Sequence, residues 1–250
     1  MSHTNITRLD EVTVLTLERG KVNALNPSVV HELAARLEEL ERSDEVRALV
    51  LAGTGSFFTF GFDIPEFLSY PKEEFTRFLV DFTALYRRIF LFPKPVVAAL
   101  NGHTIAGGCM LALACDRRLM ALGKSKISLN EIGFGASVFA GCVEMLRACV
   151  GHSRAEAVLF SGEIFEANEA LGLGLIDRAL PLDELPAAAV EEARLLGSRD
   201  GRAYRSIKSL LRGPVAEEIE RREQASIREF ADIWYSEETR ANLRKIEIRS

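Results

Sequence analysis

Three segments carry residue types that could do chemistry together: FTFGFDIPE (58–66), NGHTIAGGCMLALACD (101–116) and SLNEIGFG (128–135). The first two share a layout of strand, glycine-containing loop and helix start. The opening amides of a helix have no intrahelical partner, and the helix dipole makes them attractive to negative charge. Two such amides converging on one point would form an oxyanion hole. The third segment adds a carboxylate, Glu131, flanked by apolar residues. Gly107 and Gly108 stand directly ahead of an apolar run, where glycine costs helix stability unless the backbone has a special task. Each signal also has an ordinary explanation. A Gly-Gly pair before a helix is commonly a packing device, and a lone Glu after a strand is commonly a solvated cap. Neither loop fits GxGxxG or the Lys-Ser/Thr of a P-loop, which argues against nucleotide phosphates held that way.

Positioning these groups takes alternating strands and helices, and the apolar pattern supplies them. EVTVLTL (11–17) reads as a strand by its β-branched content. PSVVHELAARLEELERS (27–43) places Val30, Leu33, Leu37 and Leu40 on one helix face, with Asn26 as N-cap before Pro27. VRALVLAG (46–53) is a short buried strand, and Asp63 and Glu66 have capping-box spacing. Residues 72–92 are amphipathic at helical spacing, PVVAAL (95–100) is a strand, and GGCMLALAC (107–115) is a buried helix. RRLMAL and KISL are further strands, so the first two-thirds reads as α/β. Beyond residue 136 helices dominate apart from LGLIDRAL (173–180). GRAYRSIKSLLRG and PVAEEIERREQASIREFADIWY are expected as separate helices, between DELPAAAVEEARLLGS and SEETRANLRKI. The expected organisation is an α/β core over residues 1–182 and a helical region over 183–250, not two independent domains.

At 250 residues the chain can bury a sizeable core, and its 27% charged content is ordinary for a soluble globular protein. A net charge of −5 argues against a nucleic-acid partner, and no apolar run is long enough to span a bilayer. The start MSHTNITRLDE lacks a signal-peptide layout and the ending EIRS matches no retention or import signal, so a cytoplasmic location is expected. Cys109, Cys115, Cys142 and Cys149 lie in apolar helical context without metal-ligand spacing, and the four histidines are scattered. No metal site is expected.

Together the three segments resemble the crotonase (enoyl-CoA hydratase/isomerase) superfamily, and the resemblance covers nearly the whole chain. KVNALN (21–26) is similar to the family's CoA-binding turn, which implicates Lys21, Val22 and Ala24. FTFGFDIPE resembles the first oxyanion loop, with Phe60, Gly61, Phe62, Asp63 and Ile64. NGHTIAGGCMLALACD resembles the second, with Gly107, Gly108 and Met110, and SLNEIGFG the segment bearing the catalytic Glu, with Asn130 and Glu131. LFSGEIFEANEALGLGLIDRAL (159–180) resembles a later family signature.

The resemblance implies a spiral of ββα units with C-terminal helices that close the site and form a homotrimer, or a hexamer of two trimers. It implies an acyl-CoA thioester as substrate, with coenzyme A as part of the substrate and no other cofactor. The oxyanion donors would be the amides of Phe62 and Gly107, and a side chain at 107 would hold the thioester oxygen away. Where the family's hydratases have a Glu, this chain has Met110, while Glu131 occupies the position of their second Glu. That arrangement is most similar to mitochondrial-type Δ3,Δ2-enoyl-CoA isomerases. A single base in a dry pocket could take a proton from C2 and return it at C4. Phe60, Phe67, Phe134 and Phe139 are candidate pocket walls. The same hole and one Glu would also serve a weak hydratase, a decarboxylase, a thioester hydrolase or a carbon–carbon bond former. A non-catalytic CoA-binding scaffold is a further alternative.

Overall fold

The computed structural model describes residues 2–246, so the EIRS ending lies outside the described residues. The chain opens with an antiparallel pair, β1 (Thr4–Leu9) and β2 (Val12–Leu17), followed by α1 (Pro27–Arg42). Two strands and then helix recur from there. The first such turn is β3 (Ala48–Gly53), β4 (Phe57–Thr59), α2 (Ile64–Phe67) and α3 (Lys72–Phe90). The second is β5 (Val96–Leu100), β6 (His103–Ile105) and α4 (Gly107–Ala114). The third is β7 (Arg117–Ala121), β8 (Lys126–Ser128), a 3-10 turn (Glu131–Phe134), α5 (Ala140–Val150) and α6 (His152–Ser161). Then come β9 (Ile164–Glu166), α7 (Ala167–Leu173), β10 (Arg178–Leu180), α8 (Leu185–Gly197), α9 (Gly201–Trp234) and α10 (Glu237–Leu243).

The first strand of each turn joins a larger sheet, of order β1-β2-β3-β5-β7-β10, parallel from β2 onward. The second strand joins a smaller sheet, of order β4-β6-β8-β9, in which β4, β6 and β8 are parallel. This alternation is the expected ββα spiral. The inner strands of the larger sheet, β2, β3, β5 and β7, are largely buried, with side chains alternating between two cores. Leu49, Leu51, Ala98 and Leu100 face the main core, while Ala48, Val50, Val97 and Ala99 face Leu185, Ala189 and Ala193 of α8.

Local signals held where they were strong. Asn26 accepts from the Val29 amide with Pro27 at the helix start, and Asp63 accepts from the Glu66 amide. The expected break near Pro214 does not occur, because α9 runs for 34 residues through it. Proline there forfeits one helical hydrogen bond, yet packing on either side carries the helix across. Before it, Arg212 donates to the carbonyls of Phe90, Ala114 and Cys115 at 2.7–3.0 Å, and Lys208 pairs with Asp116 at 2.8 Å. After it, Ala216, Ile219 and Glu223 are buried. Among the described residues no helix is long and apolar enough to cross a membrane.

Candidate active site

The smaller sheet is what gathers the three chemistry-bearing segments. β4, β6 and β8 lie side by side and parallel, so their carboxyl ends open at one edge. From those ends the chain runs into Gly61–Phe62, Ala106–Gly107 and Asn130–Glu131 respectively. Ligands in α/β sheets characteristically bind outside such strand ends.

Backbone geometry exposes two amides there. Phe62 bridges to Leu25, but the bonds are carried by its neighbours, Leu25 N–H to Gly61 O at 2.7 Å and Asp63 N–H to Leu25 O at 2.9 Å. In such a parallel bridge the N–H of Phe62 itself points the other way. Gly107 opens α4, so its N–H is one of the helix's orphan donors. The two loops press together: a Cβ at Gly61 (φ +97°) would lie 2.8 Å from Ile105 O and 3.2 Å from the Gly107 nitrogen. Ala106, the N-cap of α4, sits at φ 50°, ψ −116°, a conformation costing on the order of 1–3 kcal/mol for a residue with a side chain. Its N–H is fixed to Ser128 O at 2.9 Å and its carbonyl to Met110 N–H at 3.1 Å. That strained turn holds the Gly107 amide in place.

Glu131 begins the 3-10 turn and is 3% exposed. Neither carboxyl oxygen has a hydrogen-bond partner among the described residues, and burial pushes its pKa up to about 8. It opens onto a cavity of about 170 Å³ lined also by Phe60, Phe62, Ile64, Gly107, Met110 and Asn130. Glu131 is the one ionisable side chain among the described lining residues.

Lys21, Val22, Ala24, Gly61, Asp63, Phe67 and Gly108 fall outside that lining. Gly108 is needed for packing, since a Cβ there would come within 2.5 Å of Thr59 O in β4. A Cβ on Gly107 would meet the rings of Phe62 and Phe82 at 3.2–3.3 Å, so glycine at 107 keeps the aromatic packing behind the amide undisturbed. Asp63 is occupied as a helix cap and as the partner of Arg19 at 2.7 Å. Lys21 is exposed, Val22 uses its carbonyl to hold Phe60 N–H at 3.0 Å, and Ala24 gives its carbonyl to Arg19 at 2.9 Å. Beside them Asn23, at φ 50°, donates to the carbonyls of Thr54 and Phe57 at 3.1 and 2.9 Å. Within the described geometry the KVNALN turn braces the first loop from behind. Phe134 and Phe139 line the cavity, whereas Phe67 packs behind Phe62, with ring centroids 6.0 Å apart.

Sequence reasoning expects the C-terminal helices to close the site but names none of the residues that reach it. Phe230 and Trp234 of α9, one helical turn apart, wall the cavity, and Ile246 follows at its edge. The single Trp of the chain, at i+4 from a Phe, was the available signal. α10 ties both halves of the site together. Thr239 donates to Gly135 O at 2.7 Å, beside the turn bearing Glu131, and Arg240 donates to Leu68 O at 2.8 Å, beyond the first loop.

Comparison with known proteins assigns the class. The enoyl-CoA hydratase/isomerase family profile matches residues 7–248, and the chain belongs to that family, within the crotonase superfamily. It is an enzyme acting on acyl-CoA thioesters. The short-chain-enoyl-CoA hydratase of Clostridium acetobutylicum is 34% identical over 190 residues, covering 75% of this chain and 72% of that protein. The solved enoyl-CoA hydratase/isomerase of Xanthobacter autotrophicus Py2 superposes with a TM-score of 0.87 at 26% identity, covering 97% and 92% of the two chains. Human mitochondrial Δ3-Δ2-enoyl-CoA isomerase shares the fold at a TM-score of 0.92 and 24% identity, covering 97% and 96%.

Proposed function

We propose that the enzyme is a Δ3,Δ2-enoyl-CoA isomerase working with Glu131 as its only proton carrier. The observation that carries this reading is the cavity lining: Met110 faces the same space as Glu131 and supplies no second carboxylate. In the proposed reaction the thioester oxygen accepts from the amides of Phe62 and Gly107. Glu131 takes a C2 proton, and the C–H electron pair moves into a dienolate whose negative charge those amides stabilise. The same carboxyl returns the proton to C4, leaving the double bond between C2 and C3. No electron is gained or lost, so the step calls for no redox cofactor, and coenzyme A enters as part of the substrate. A carboxyl whose pKa lies near the working pH can both accept and donate. Losing one amide donor of such a hole costs about 2.7–4 kcal/mol of transition-state stabilisation.

A second reading, hydration of 2-enoyl-CoA, is favoured by the hydratase names of the sequence relatives. It demands that water be oriented and deprotonated, for which Met110 has no suitable group. Incubating the enzyme with 3-hexenoyl-CoA and, separately, 2-hexenoyl-CoA tests the choice by ultraviolet absorbance of the conjugated thioester. Absorbance should rise quickly with the first and fall slowly with the second. Fast loss of the 2-enoyl signal with no reaction of the 3-enoyl compound would replace the isomerase reading by the hydratase one.

The same reading includes a homotrimer or hexamer. Ile207, Leu210 and Leu211 on α9 and Phe160 on α6 are 58–76% exposed, more apolar surface than a monomer usually leaves in water. Light scattering that finds a stable monomer at micromolar concentration would contradict it.

A further inference from the structure

We infer that α9 closes the acyl chamber and restricts the enzyme to short acyl groups, with Phe230 and Trp234 as the specificity-determining side chains. The inference rests on the reading above for the orientation of the thioester. Burial divides the cavity lining into two ends. Phe60, Ile105, Asn130, Phe134 and Ile246 are only half-buried and form the mouth. Met110, Phe139, Phe230 and Trp234 are at most 2% exposed and form the inner wall.

The space between is about 170 Å³. An apolar cavity of ~150 Å³ takes one benzene, which sets the scale at about six non-hydrogen atoms. The thioester carbonyl and carbons C2 to C4 use about five of those, leaving room for roughly one or two more carbons. Four to six carbons, approximately, is therefore the acyl length that fits.

The inner wall has little freedom to retreat. Phe230 packs on Phe139 with ring centroids 4.5 Å apart, and Trp234 stacks on Phe75 at 4.7 Å. α9 itself is pinned near this wall, where Glu223 accepts from Gly141 N–H at 2.7 Å and from the Tyr86 hydroxyl. At its end Tyr235 donates to Tyr70 O at 2.7 Å. A longer chain would have to displace close-packed rings, which interiors resist.

The test is calorimetric titration of the enzyme with saturated acyl-CoAs from acetyl to dodecanoyl, repeated for Phe230→Ala and Trp234→Leu. Each buried methylene should tighten binding roughly fourfold until the chamber is full. For the unaltered enzyme, affinity should rise to butanoyl or hexanoyl and fall at least about tenfold by octanoyl, since overpacking then opposes burial. Each variant should move that break toward longer chains by two carbons or more. Affinity that keeps rising through dodecanoyl, or a break unmoved in folded variants, would overturn the inference. Phe139→Leu replaces either α9 variant that does not fold. Saturated thioesters have no double bond to shift, so a failed isomerase assay would leave this series standing and a failed series would leave the isomerase assay standing.

Discussion

Two carboxyl groups share the same apolar core, and they are built in opposite ways. Glu223, on α9, is 7% exposed, and burial pushes its pKa up to about 7. Its oxygens are occupied: Gly141 N–H donates to one at 2.7 Å and the Tyr86 hydroxyl to the other. It fastens α9 to α3 and to the start of α5. Glu131, at 3% exposure with a pKa pushed up to about 8, has no partner for either oxygen among the described residues and lines the cavity. Burial alone thus raises both groups. What separates them is the second requirement for proton transfer, an oxygen with no hydrogen bond of its own to break. A partnered carboxyl would have to break its own hydrogen bonds to do chemistry, whereas an orphaned one carries a desolvation cost that only function explains.

Exchanging each carboxyl for its amide should separate the two roles. Glu131→Gln should lower isomerisation about 10³-fold or more while leaving the melting temperature unchanged or raised. Glu223→Gln should lower the melting temperature by several degrees, with kcat changed by no more than a few-fold. Calorimetry and steady-state rates on both variants check this pair. Comparable kinetic losses at the two sites would erase the distinction.

The two adjacent glycines extend the comparison to the backbone. Gly107→Ala should cost roughly 10²-fold in kcat with modest destabilisation, because it shifts the Phe62 ring and, with it, the paired amides. Gly108→Ala should chiefly destabilise, since its Cβ would be driven to 2.5 Å from Thr59 O. Rates set against unfolding midpoints for the two variants make the test. A larger kinetic defect per degree lost in Gly108→Ala would contradict it.

The pH dependence follows from the same carboxyl. Glu131 must be ionised to accept a proton, so kcat/KM should rise about tenfold per pH unit and level off near pH 8. Stability should move the other way. Above about pH 4.5 the unfolded chain releases a proton that native Glu131 keeps, so stability falls as pH rises toward 8, by on the order of a few kcal/mol. Glu223 adds to that fall up to about pH 7. Glu131→Gln should flatten part of the slope, and Tm measured from pH 5 to 8 reads it directly. The smallest effect belongs to Met110→Gln, which should change isomerisation by no more than about threefold, since Met110 packs without moving a proton.

The legible parts of this site were contiguous in the chain. Each glycine-containing loop and the Glu131 segment announces itself by glycines or a carboxylate within a few residues of an apolar strand. The sheet that aligns them was much harder to read. β4, β6 and β9 are three residues each, too short to show an alternating pattern, and their stability comes from pairing with β8 and with one another. Lys21, Val22 and Ala24 are expected at the ligand by resemblance, and in the fold their turn also supports the first loop. A turn that braces and a turn that binds have the same composition. Phe230 and Trp234 reach the cavity from a helix about a hundred residues downstream of Glu131, a contact that only tertiary packing creates. The uninterrupted α9 has the same cause, because contacts by Arg212 and Lys208 outweigh the local preference of Gly213–Pro214 for a break.

In the proposed reaction one buried carboxyl carries one proton from C2 to C4. The direct measurement is conversion of 3-hexenoyl-CoA deuterated at C2 in ordinary water, with the label located in the 2-hexenoyl-CoA product by mass spectrometry and NMR. Glu131 lines a cavity that bound substrate would fill, so a substantial share of the abstracted deuterium should appear at C4. Label lost entirely to solvent, or a 3-hydroxyacyl product in place of the 2-enoyl one, would contradict it.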